Sequence, residues 1–303
     1  MKILLIGYGS IGKRHEEVLD TFHNVNSIHI VTKQILVNKT TFLSMEDVLD
    51  LNCYDYYIIA NETNKHYDYL KFLDAKLKDK KIFCEKPLFD RYQDLILSNN
   101  QVFIGYVLRF HPLLIKLKYL LSKEIVISLN IKCGQYLPTW RPLIDYKNSY
   151  SAKKNQGGGV LLDLSHEIDY MQWLCGTVDE LKSYQVKISD LEINSDDFTT
   201  FIGKTINGIM INVSIDYISK ITHRVIIIES LEHSYKLDFI DNSLIQIDKN
   251  GINTIFKVNG LERNDMFKWM HNSILADKQH NCTFNEAKDV MKTISRIQES
   301  KNV

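Results

Sequence analysis

Residues 1–17 read MKILLIGYGSIGKRHEE, and this stretch decides the fold of the first part of the chain. The apolar run predicts a buried strand, and Gly7, Gly9 and Gly12 form a GxGxxG pattern directly after it. Glycines here allow a tight turn and let backbone N–H groups approach a pyrophosphate at the start of the next helix. The stretch therefore predicts a dinucleotide site that also includes Ser10 and Ile11. A glycine turn without a ligand is the alternative.

Short apolar runs alternate with helical stretches through the first hundred or so residues. The sequence predicts strands at 2–7, 27–31, 54–60, 81–84 and 102–106, and helices at 11–22, at 64–77 and from Asp90. Strands separated by helices of this length imply right-handed crossovers. The expected fold class is therefore α/β, with an N-terminal Rossmann domain built on a doubly wound parallel sheet.

The pattern changes after Arg109. The sequence predicts a helix at 111–121, a strand at 125–133, a loop at 135–156, a helix at 162–174, strands from Val178 onward and closing helices at 262–276 and 285–297. Asn207-Gly208 and Asn250-Gly251 are dipeptides typical of tight hairpin turns. We therefore expect residues 1–108 to form the dinucleotide domain and residues 109–303 to form a C-terminal α+β domain with a mostly antiparallel open sheet.

The composition excludes several classes of protein. The 37 basic and 37 acidic residues give a formal net charge of zero, so no overall field attracts nucleic acid or anionic lipid. The 5 cysteines are scattered without a CxxC spacing, which argues against a disulfide framework and a structural zinc site. No stretch has the roughly 18 uncharged apolar residues of a membrane helix. We expect a soluble cytoplasmic protein with no metal, membrane or nucleic-acid partner.

The second predicted strand ends in a way that bears on cofactor choice. No Asp or Glu occurs between Asp20 and Glu46, where a carboxylate for the ribose hydroxyls of NAD is expected. Thr32 and Lys33 follow the strand instead, and a hydroxyl beside a cation suits a 2′-phosphate. The sequence therefore favours NADP. NAD remains the alternative because Lys33 fits an ordinary surface position equally well.

Two further clusters follow predicted strands at the edge where doubly wound folds bind ligands. Ala60, Asn61 and His66 come after the third predicted strand, and we expect them to contact the cofactor. Glu85 and Lys86 come after the fourth, within the triplet Glu-Lys-Pro, and we expect them to contact the cofactor as well. A lysine held there can hydrogen-bond a reacting hydroxyl and stabilise developing alkoxide charge. An ordinary surface turn is the alternative.

Residues 157–169 read GGGVLLDLSHEID and carry the most informative pair. Asp163 and His166 are three positions apart on a predicted helix, hence about 60° apart around its axis and on one face. A histidine beside a carboxylate is a plausible general base. The alternative is that Asp163 caps a helix and His166 packs in the core. Tyr170 replaces the second histidine of a zinc HExxH motif.

Together these motifs resemble the Gfo/Idh/MocA family of NAD(P)-dependent oxidoreductases. The resemblance covers nearly the whole chain and rests on the order of the glycine loop, Glu85-Lys86-Pro87 and the GGGxLxD motif with His166. It implies that Lys86, Asp163 and His166 are catalytic. It also implies that the C-terminal sheet serves substrate binding and subunit contacts, hence a homodimer or homotetramer. Many members separate the aspartate and histidine by four positions, whereas Asp163 and His166 are three apart, a change that leaves both on one face of the predicted helix.

A finer resemblance is to family members of bacterial surface-sugar pathways, including those for nonulosonates. It rests on residues 105–112, 134–142 and 149–152. Tyr136 and Trp140 can stack on a sugar, and Arg109 and Arg141 can pair with a carboxylate or phosphate. The alternative is that these residues pack a domain interface.

The expected reaction is hydride transfer between NAD(P) and a carbinol carbon of a sugar or nucleotide sugar. His166 would take the hydroxyl proton, with Asp163 orienting it, and Lys86 would hydrogen-bond the oxygen. One rival interpretation is a dinucleotide-sensing regulator on the same scaffold. Another is a redox-neutral enzyme that recycles a tightly bound cofactor.

Overall fold

The computed structural model describes residues 1–140 and 145–300, which divide into two compact units. The first unit comprises Met1–Phe110 and Glu262–Lys288, and the second begins at His111 and takes the rest. This division differs from the predicted one, because a segment late in the chain returns to the first unit. The predicted boundary between residues 108 and 109 lies just before the observed change at Phe110.

The helices and strands follow each other in the order that the sequence pattern predicts, except that the short strands Thr41–Phe42 and Cys282–Thr283 are not predicted and two predicted helices differ as given below. From the N-terminus they are β1 (Lys2–Ile6), α1 (Ser10–Leu19), β2 (Ser27–Val31), β3 (Thr41–Phe42), β4 (Tyr56–Ile59), α2 (His66–Lys76), β5 (Lys81–Cys84), β6 (Gln101–Ile104), α3 (Pro112–Leu121) and β7 (Val126–Gly134). Then come α4 (Val160–Asp163), α5 (His166–Cys175), β8 (Val178–Val186), β9 (Phe198–Thr205), β10 (Met210–Asp216), β11 (His223–Ser230), β12 (His233–Asp238), β13 (Ser243–Asp248), β14 (Asn253–Lys257), α6 (Asp265–Leu275), β15 (Cys282–Thr283) and α7 (Phe284–Glu299). Of the helices described, none combines the length and apolarity needed to cross a membrane.

The sheet of the first unit has the strand order β15-β6-β5-β4-β1-β2-β3. All neighbouring strands are parallel except β15, which pairs with β6 in the antiparallel direction. Every residue of β4 is buried, as expected for a strand covered on both faces. Since β1, β4 and β5 are parallel neighbours, the segments that follow them emerge at one edge of the sheet.

The sheet of the second unit has the order β14-β13-β12-β11-β7-β10-β9-β8. Only the pair β10 and β7 is parallel. The predicted hairpin turns are confirmed, and Gly208 and Gly251 both have φ of +80°. Along β7, β10 and β11 buried apolar residues alternate with residues that face outward. The alternation gives the sheet one packed face and one open face.

One predicted helix is absent. The stretch after Asp90 forms no helix, although its sequence suggested one. The Asp74 carboxylate instead accepts hydrogen bonds from the backbone N–H groups of Ser98 and Asn99. Lys288 forms an ion pair with Asp94 at 2.5 Å. These long-range partners hold the segment in an irregular path, which local propensity does not reveal.

Candidate active site

The glycine loop after β1 has the geometry that a dinucleotide requires. Gly7 has φ of +93°, and a Cβ atom there would lie 2.6 Å from the backbone of Asn61, so only glycine fits. A Cβ at Gly9, by contrast, would meet no atom within 4 Å. Helix α1 begins at Ser10 and no side chain caps it. A helix start whose N–H groups are not engaged by a capping side chain suits a pyrophosphate.

The residues after β2 leave a cation and a hydroxyl where NAD-binding proteins often have a carboxylate. The Thr32 hydroxyl accepts a hydrogen bond from the backbone N–H of Gln34 at 3.2 Å, and Lys33 is exposed. The nearby carboxylate of Glu16 is engaged elsewhere, since it accepts from the Tyr8 hydroxyl and pairs with Lys39. Thr32 and Lys33 directly follow β2, and their place at the ribose end of the cofactor stays a prediction.

His66 shapes the edge of the sheet from within. It is buried, and its Nδ1 lies 3.1 Å from the Pro87 carbonyl oxygen while its Nε2 lies 3.3 Å from the Asn61 carbonyl oxygen. Burial lowers the pKa of His66, so the ring is neutral. The carbonyls enclose the imidazole, so it braces the loop after β5, and its contact with a cofactor stays a prediction. Ala60 is buried beneath the glycine loop.

Asn61 keeps its predicted place beside the glycine loop. Its backbone packs against Gly7, and its side-chain Oδ1 is buried and has no hydrogen-bond partner among the described residues. A buried acceptor without a donor costs free energy unless a ligand or water supplies one. Asn61 is therefore suited to accept a hydrogen bond from a bound molecule.

Glu85 and Lys86 follow β5 at the same edge. Glu85 is only 8% exposed. Its Oε2 accepts the backbone N–H of Lys86 at 3.0 Å, and its Oε1 lies 2.9 Å from Nε2 of His15. Lys86 is half-buried. The strand order thus brings the glycine loop, Asn61 and Lys86 to one edge of a parallel sheet.

In the second unit the predicted helix over 162–174 is broken, and this corrects the expected geometry. α4 ends at Asp163 and α5 begins at His166, so the two residues do not share one helix face. Asp163 is buried, and its Oδ2 accepts a hydrogen bond from the Tyr217 hydroxyl at 2.5 Å. Burial raises the pKa of Tyr217 well above its usual value, so the phenol stays a donor. Tyr217 therefore orients the carboxylate.

The glycines before α4 explain how Asp163 is positioned. A Cβ atom at Gly158 would lie 2.1 Å from the Tyr150 carbonyl oxygen, so only glycine allows this close approach. Asp196 then anchors the start of the helix, because its Oδ2 accepts the backbone N–H of Leu161 at 3.0 Å. The GGG sequence thus serves packing around α4, and Asp163 is the group it presents.

The predicted sugar-binding aromatics are also in the second unit. Trp140 meets the Tyr217 ring edge to face, with 5.1 Å between centroids. Its indole Nε1 is buried and has no hydrogen-bond partner in the described part of the chain. Nζ of Lys220 lies over the Tyr136 ring, 4.3 Å from its centroid. Tyr217 therefore links Trp140 to Asp163 within one cluster.

Arg109 and Arg141 are the two arginines that the sequence predicts to pair with a carboxylate or phosphate of the substrate. Arg109 lies in the first unit, is 2% exposed and forms an ion pair with Glu286 at 2.7 Å. Its guanidinium holds the returning segment of the chain, which gives it a structural role, and its contact with substrate stays a prediction. Arg141 lies outside the described residues.

Three residues that the sequence analysis did not select contact the candidate site residues or their neighbours. Tyr217 directly follows β10, and His15 follows Gly12 by three positions on the buried face of α1. His271 is buried in α6 and contacts His15. Of the three, only His15 could have been found from the sequence, through its position just after the glycine loop. The roles of Tyr217 and His271 depend on contacts between distant parts of the chain.

Two protein-family models match this chain. A model described as an oxidoreductase family with an NAD-binding Rossmann fold matches residues 1–96, and the GFO/IDH/MocA C-terminal domain model matches residues 126–230. The chain belongs to the Gfo/Idh/MocA family. The predicted family and fold class are confirmed, and this Gfo/Idh/MocA member is an NAD-dependent oxidoreductase. A comparison with curated proteins gives no match.

Solved structures share the fold along nearly the whole length of this family member. Levoglucosan dehydrogenase in complex with NADH has a TM-score of 0.84 at 16% identity, over 99% of this chain and 96% of that one. UDP-N-acetylglucosamine 3-dehydrogenase GnnA from Acidithiobacillus ferrooxidans has a TM-score of 0.76 at 16% identity, over 99% and 97%. A super-repressor mutant of Gal80p from Saccharomyces cerevisiae reaches 0.83 at 16% identity, over 99% and 95%.

Proposed function

We propose that this protein transfers a hydride between NAD(P) and a carbinol carbon of a sugar or nucleotide sugar, in the synthesis of surface-polysaccharide sugars. The observation that carries the proposal is the placement of Lys86 at the sheet edge that also bears the glycine loop and Asn61. The nicotinamide, when bound, supplies or accepts the hydride. The dehydrogenases of levoglucosan and UDP-N-acetylglucosamine with this fold support the choice of substrate class.

The protein's own groups account for binding and proton transfer. The N–H groups at the start of α1 hold the pyrophosphate, and Thr32 and Lys33 face its ribose end. Lys86 hydrogen-bonds the substrate oxygen as negative charge develops. His166 takes the hydroxyl proton during oxidation and returns it during reduction. Asp163, held by Tyr217, orients the imidazole, and Trp140 and Tyr136 contact the sugar.

Alanine variants test the two assigned groups. Lys86→Ala and His166→Ala should each lose several orders of magnitude in turnover while still binding the dinucleotide. Turnover with a panel of nucleotide sugars and free sugars would be followed by the absorbance of the reduced cofactor. Wild-type activity in either variant would remove that residue from the mechanism.

The choice between cofactors has a separate test. Because Thr32 and Lys33 replace the expected carboxylate, we propose that NADPH binds more tightly than NADH. Titration of each dinucleotide into wild type and Lys33→Ala, followed by fluorescence, checks this. The substitution should weaken NADPH and leave NADH unchanged. Tighter binding of NADH to wild type would reverse the proposed preference.

A non-catalytic dinucleotide sensor is the second candidate, since a repressor has the same fold. It predicts dinucleotide binding without turnover of any sugar. A redox-neutral enzyme is the third candidate function. In that case the purified protein should retain a bound nicotinamide cofactor. Turnover that consumes added NAD(P) excludes both.

A further inference from the structure

Three buried side chains behind Lys86 form a line of hydrogen bonds that ends on Glu85. Tyr56 lies in β4, His15 in α1 and His271 in α6. Each of the three is 0% exposed. The proposed reaction assigns them no role, and burying two imidazoles and a phenol is costly without a compensating benefit.

The line is continuous. The Tyr56 hydroxyl lies 3.0 Å from His271 Nδ1, and His271 Nε2 lies 2.9 Å from His15 Nδ1. His15 Nε2 then lies 2.9 Å from Glu85 Oε1. Both nitrogens of both imidazoles are therefore used, and the last contact is to the carboxylate beside Lys86.

Aromatic rings enclose the two imidazoles. The Phe83 ring lies edge-on to His15 and tilted to His271, with centroids 4.9 Å and 5.3 Å away. Phe267 meets His15 at 5.6 Å. An apolar enclosure excludes water, so hydrogen bonds within it are strong and polarise one another.

The chemistry of the carboxylate fixes the donor at the last contact of the line. Burial, together with the neighbouring His15, lowers the pKa of His271 well below its usual value, so its ring is neutral. A neutral imidazole has one N–H and one acceptor nitrogen, and an ionised carboxylate only accepts. At the last contact the carboxylate therefore accepts and His15 donates its Nε2–H to Glu85 Oε1.

We propose that His15, backed by His271 and Tyr56, is a positioning residue that donates to the Glu85 carboxylate and holds it in its orientation. His15 engages Oε1, and Oε2 is left to accept the Lys86 backbone N–H. The carboxylate thereby fixes the main chain of Lys86 and places a negative charge next to its ammonium. This inference rests on the proposed catalytic role of Lys86.

Other groups also act on Glu85 and must stay constant in a test. Arg14 of α1, His66 of α2 and Cys84 of β5 all interact with the Glu85 charge. None of them is altered in the variants below, so a change in the titration of Glu85 reports the loss of the hydrogen-bond line.

The sequence offers a selective probe, because Glu-Lys occurs once in the chain, at Glu85-Lys86. Labelling glutamate carbonyls with carbon-13 and lysine nitrogens with nitrogen-15 gives one carbonyl-to-amide correlation in the NMR spectrum. The Lys86 amide is bonded to Glu85 Oε2, so its chemical shift follows the ionisation of Glu85. A pH titration of that signal gives the pKa of Glu85 directly.

The variants are matched. His15→Leu removes the donor to Glu85, and His15→Gln keeps an amide N–H near the position of Nε2. His29→Leu is the control, since it removes another imidazole bonded to a tyrosine, at 3.0 Å from Tyr54, away from Glu85. Tyr56→Phe removes one hydroxyl at the far end of the line and decides the question where His15→Leu does not fold.

We expect the titration midpoint to rise by about one pH unit or more in His15→Leu, because the charged form loses a donor. Tyr56→Phe should raise it by less, and His15→Gln and His29→Leu should match wild type. The proposal would be overturned if wild type, His15→Leu and Tyr56→Phe had equal titration midpoints. It would also be overturned if His29→Leu raised the midpoint as much as His15→Leu does. The titration needs neither substrate nor cofactor, so its outcome is independent of whether a sugar is found.

Discussion

Tyr217 donates its hydroxyl hydrogen to Asp163 in the interior of the second unit. Removing one partner of a buried, charge-assisted hydrogen bond leaves the other without compensation, which costs about 1–3 kcal/mol. Tyr217→Phe should therefore lower the free energy of unfolding by that amount and reduce turnover, because Asp163 loses its fixed orientation. Urea denaturation and steady-state kinetics measure the two effects.

Tyr184→Phe is the matched control for Tyr217→Phe. Tyr184 lies on β8 of the same sheet with its ring exposed, so its loss should change stability by less than about 0.5 kcal/mol. If Tyr217→Phe behaved like this control in both measurements, Tyr217 would have no part in orienting Asp163.

Single residues were predictable where the chemistry is local. The glycine loop, Glu85 and Lys86 follow strands that the sequence displays, so the candidate cofactor edge could be predicted. His271 could not be, because it reaches His15 across 256 positions of the chain. Tyr217 likewise meets Asp163 across 54 positions. The sequence shows what such residues are, and only the fold shows what they contact.

At the level of elements, Arg109 and Glu286 fasten the returning segment that contains α6 and β15 to the first unit. Arg109 is 2% exposed and Glu286 is 40% exposed in their side chains. Glu286→Gln should destabilise the protein by about 1–3 kcal/mol at neutral pH. This is less than the cost of breaking a fully buried pair, because Glu286 is partly solvated. Urea unfolding measures it.

The same pair gives a pH dependence. Burial alone would raise the pKa of Glu286, but the charge of Arg109 and the bonds from Thr283 outweigh it and lower the pKa. The stabilisation is therefore present above the usual carboxyl pKa of 4.5 and is lost as pH falls through the lower folded value. Wild type should lose more stability than Glu286→Gln on acidification. Parallel acid profiles for the two proteins would contradict this.

Elements were predictable where periodicity was clear and failed where long-range contacts decide. The strand predicted at 125–133 and the two glycine hairpins of the second sheet lie where the pattern placed them, and the remaining strands follow Val178 as predicted. The helix predicted from Asp90 does not form, because Asp74 and Lys288 bind that segment. The helix predicted over 162–174 breaks before His166, and no local signal at Leu164 or Ser165 marked the break.

At the scale of the whole molecule, the open face of the second sheet bears on assembly. Ile202 of β9 and Ile227 of β11 lie in one row across the strands, and they are 57% and 39% exposed. Exposed apolar side chains on a sheet face favour association with another protein surface. We propose that this face joins two copies of the chain, in a homodimer or homotetramer.

Charge substitutions on that face test the assembly. Ile202→Lys and Ile227→Lys together should shift the protein toward monomer in size-exclusion chromatography with light scattering. Ile221→Lys is the control, because Ile221 is exposed in the loop before β11 and away from the face. A monomeric wild type, or an oligomer that survives the double substitution, would contradict the proposed interface.

Hydride transfer itself is the central claim, and isotope transfer tests it most directly. Reduced NAD(P) carrying deuterium at C4 of the nicotinamide would be incubated with oxidised forms of a panel of nucleotide sugars, and the products analysed by mass spectrometry. Wild type should place deuterium on a carbinol carbon of at least one sugar, and Lys86→Ala should not, although it still binds the dinucleotide. The account would be contradicted if wild type bound the dinucleotide but transferred deuterium to no sugar of the panel. It would also be contradicted if Lys86→Ala transferred as much deuterium as wild type.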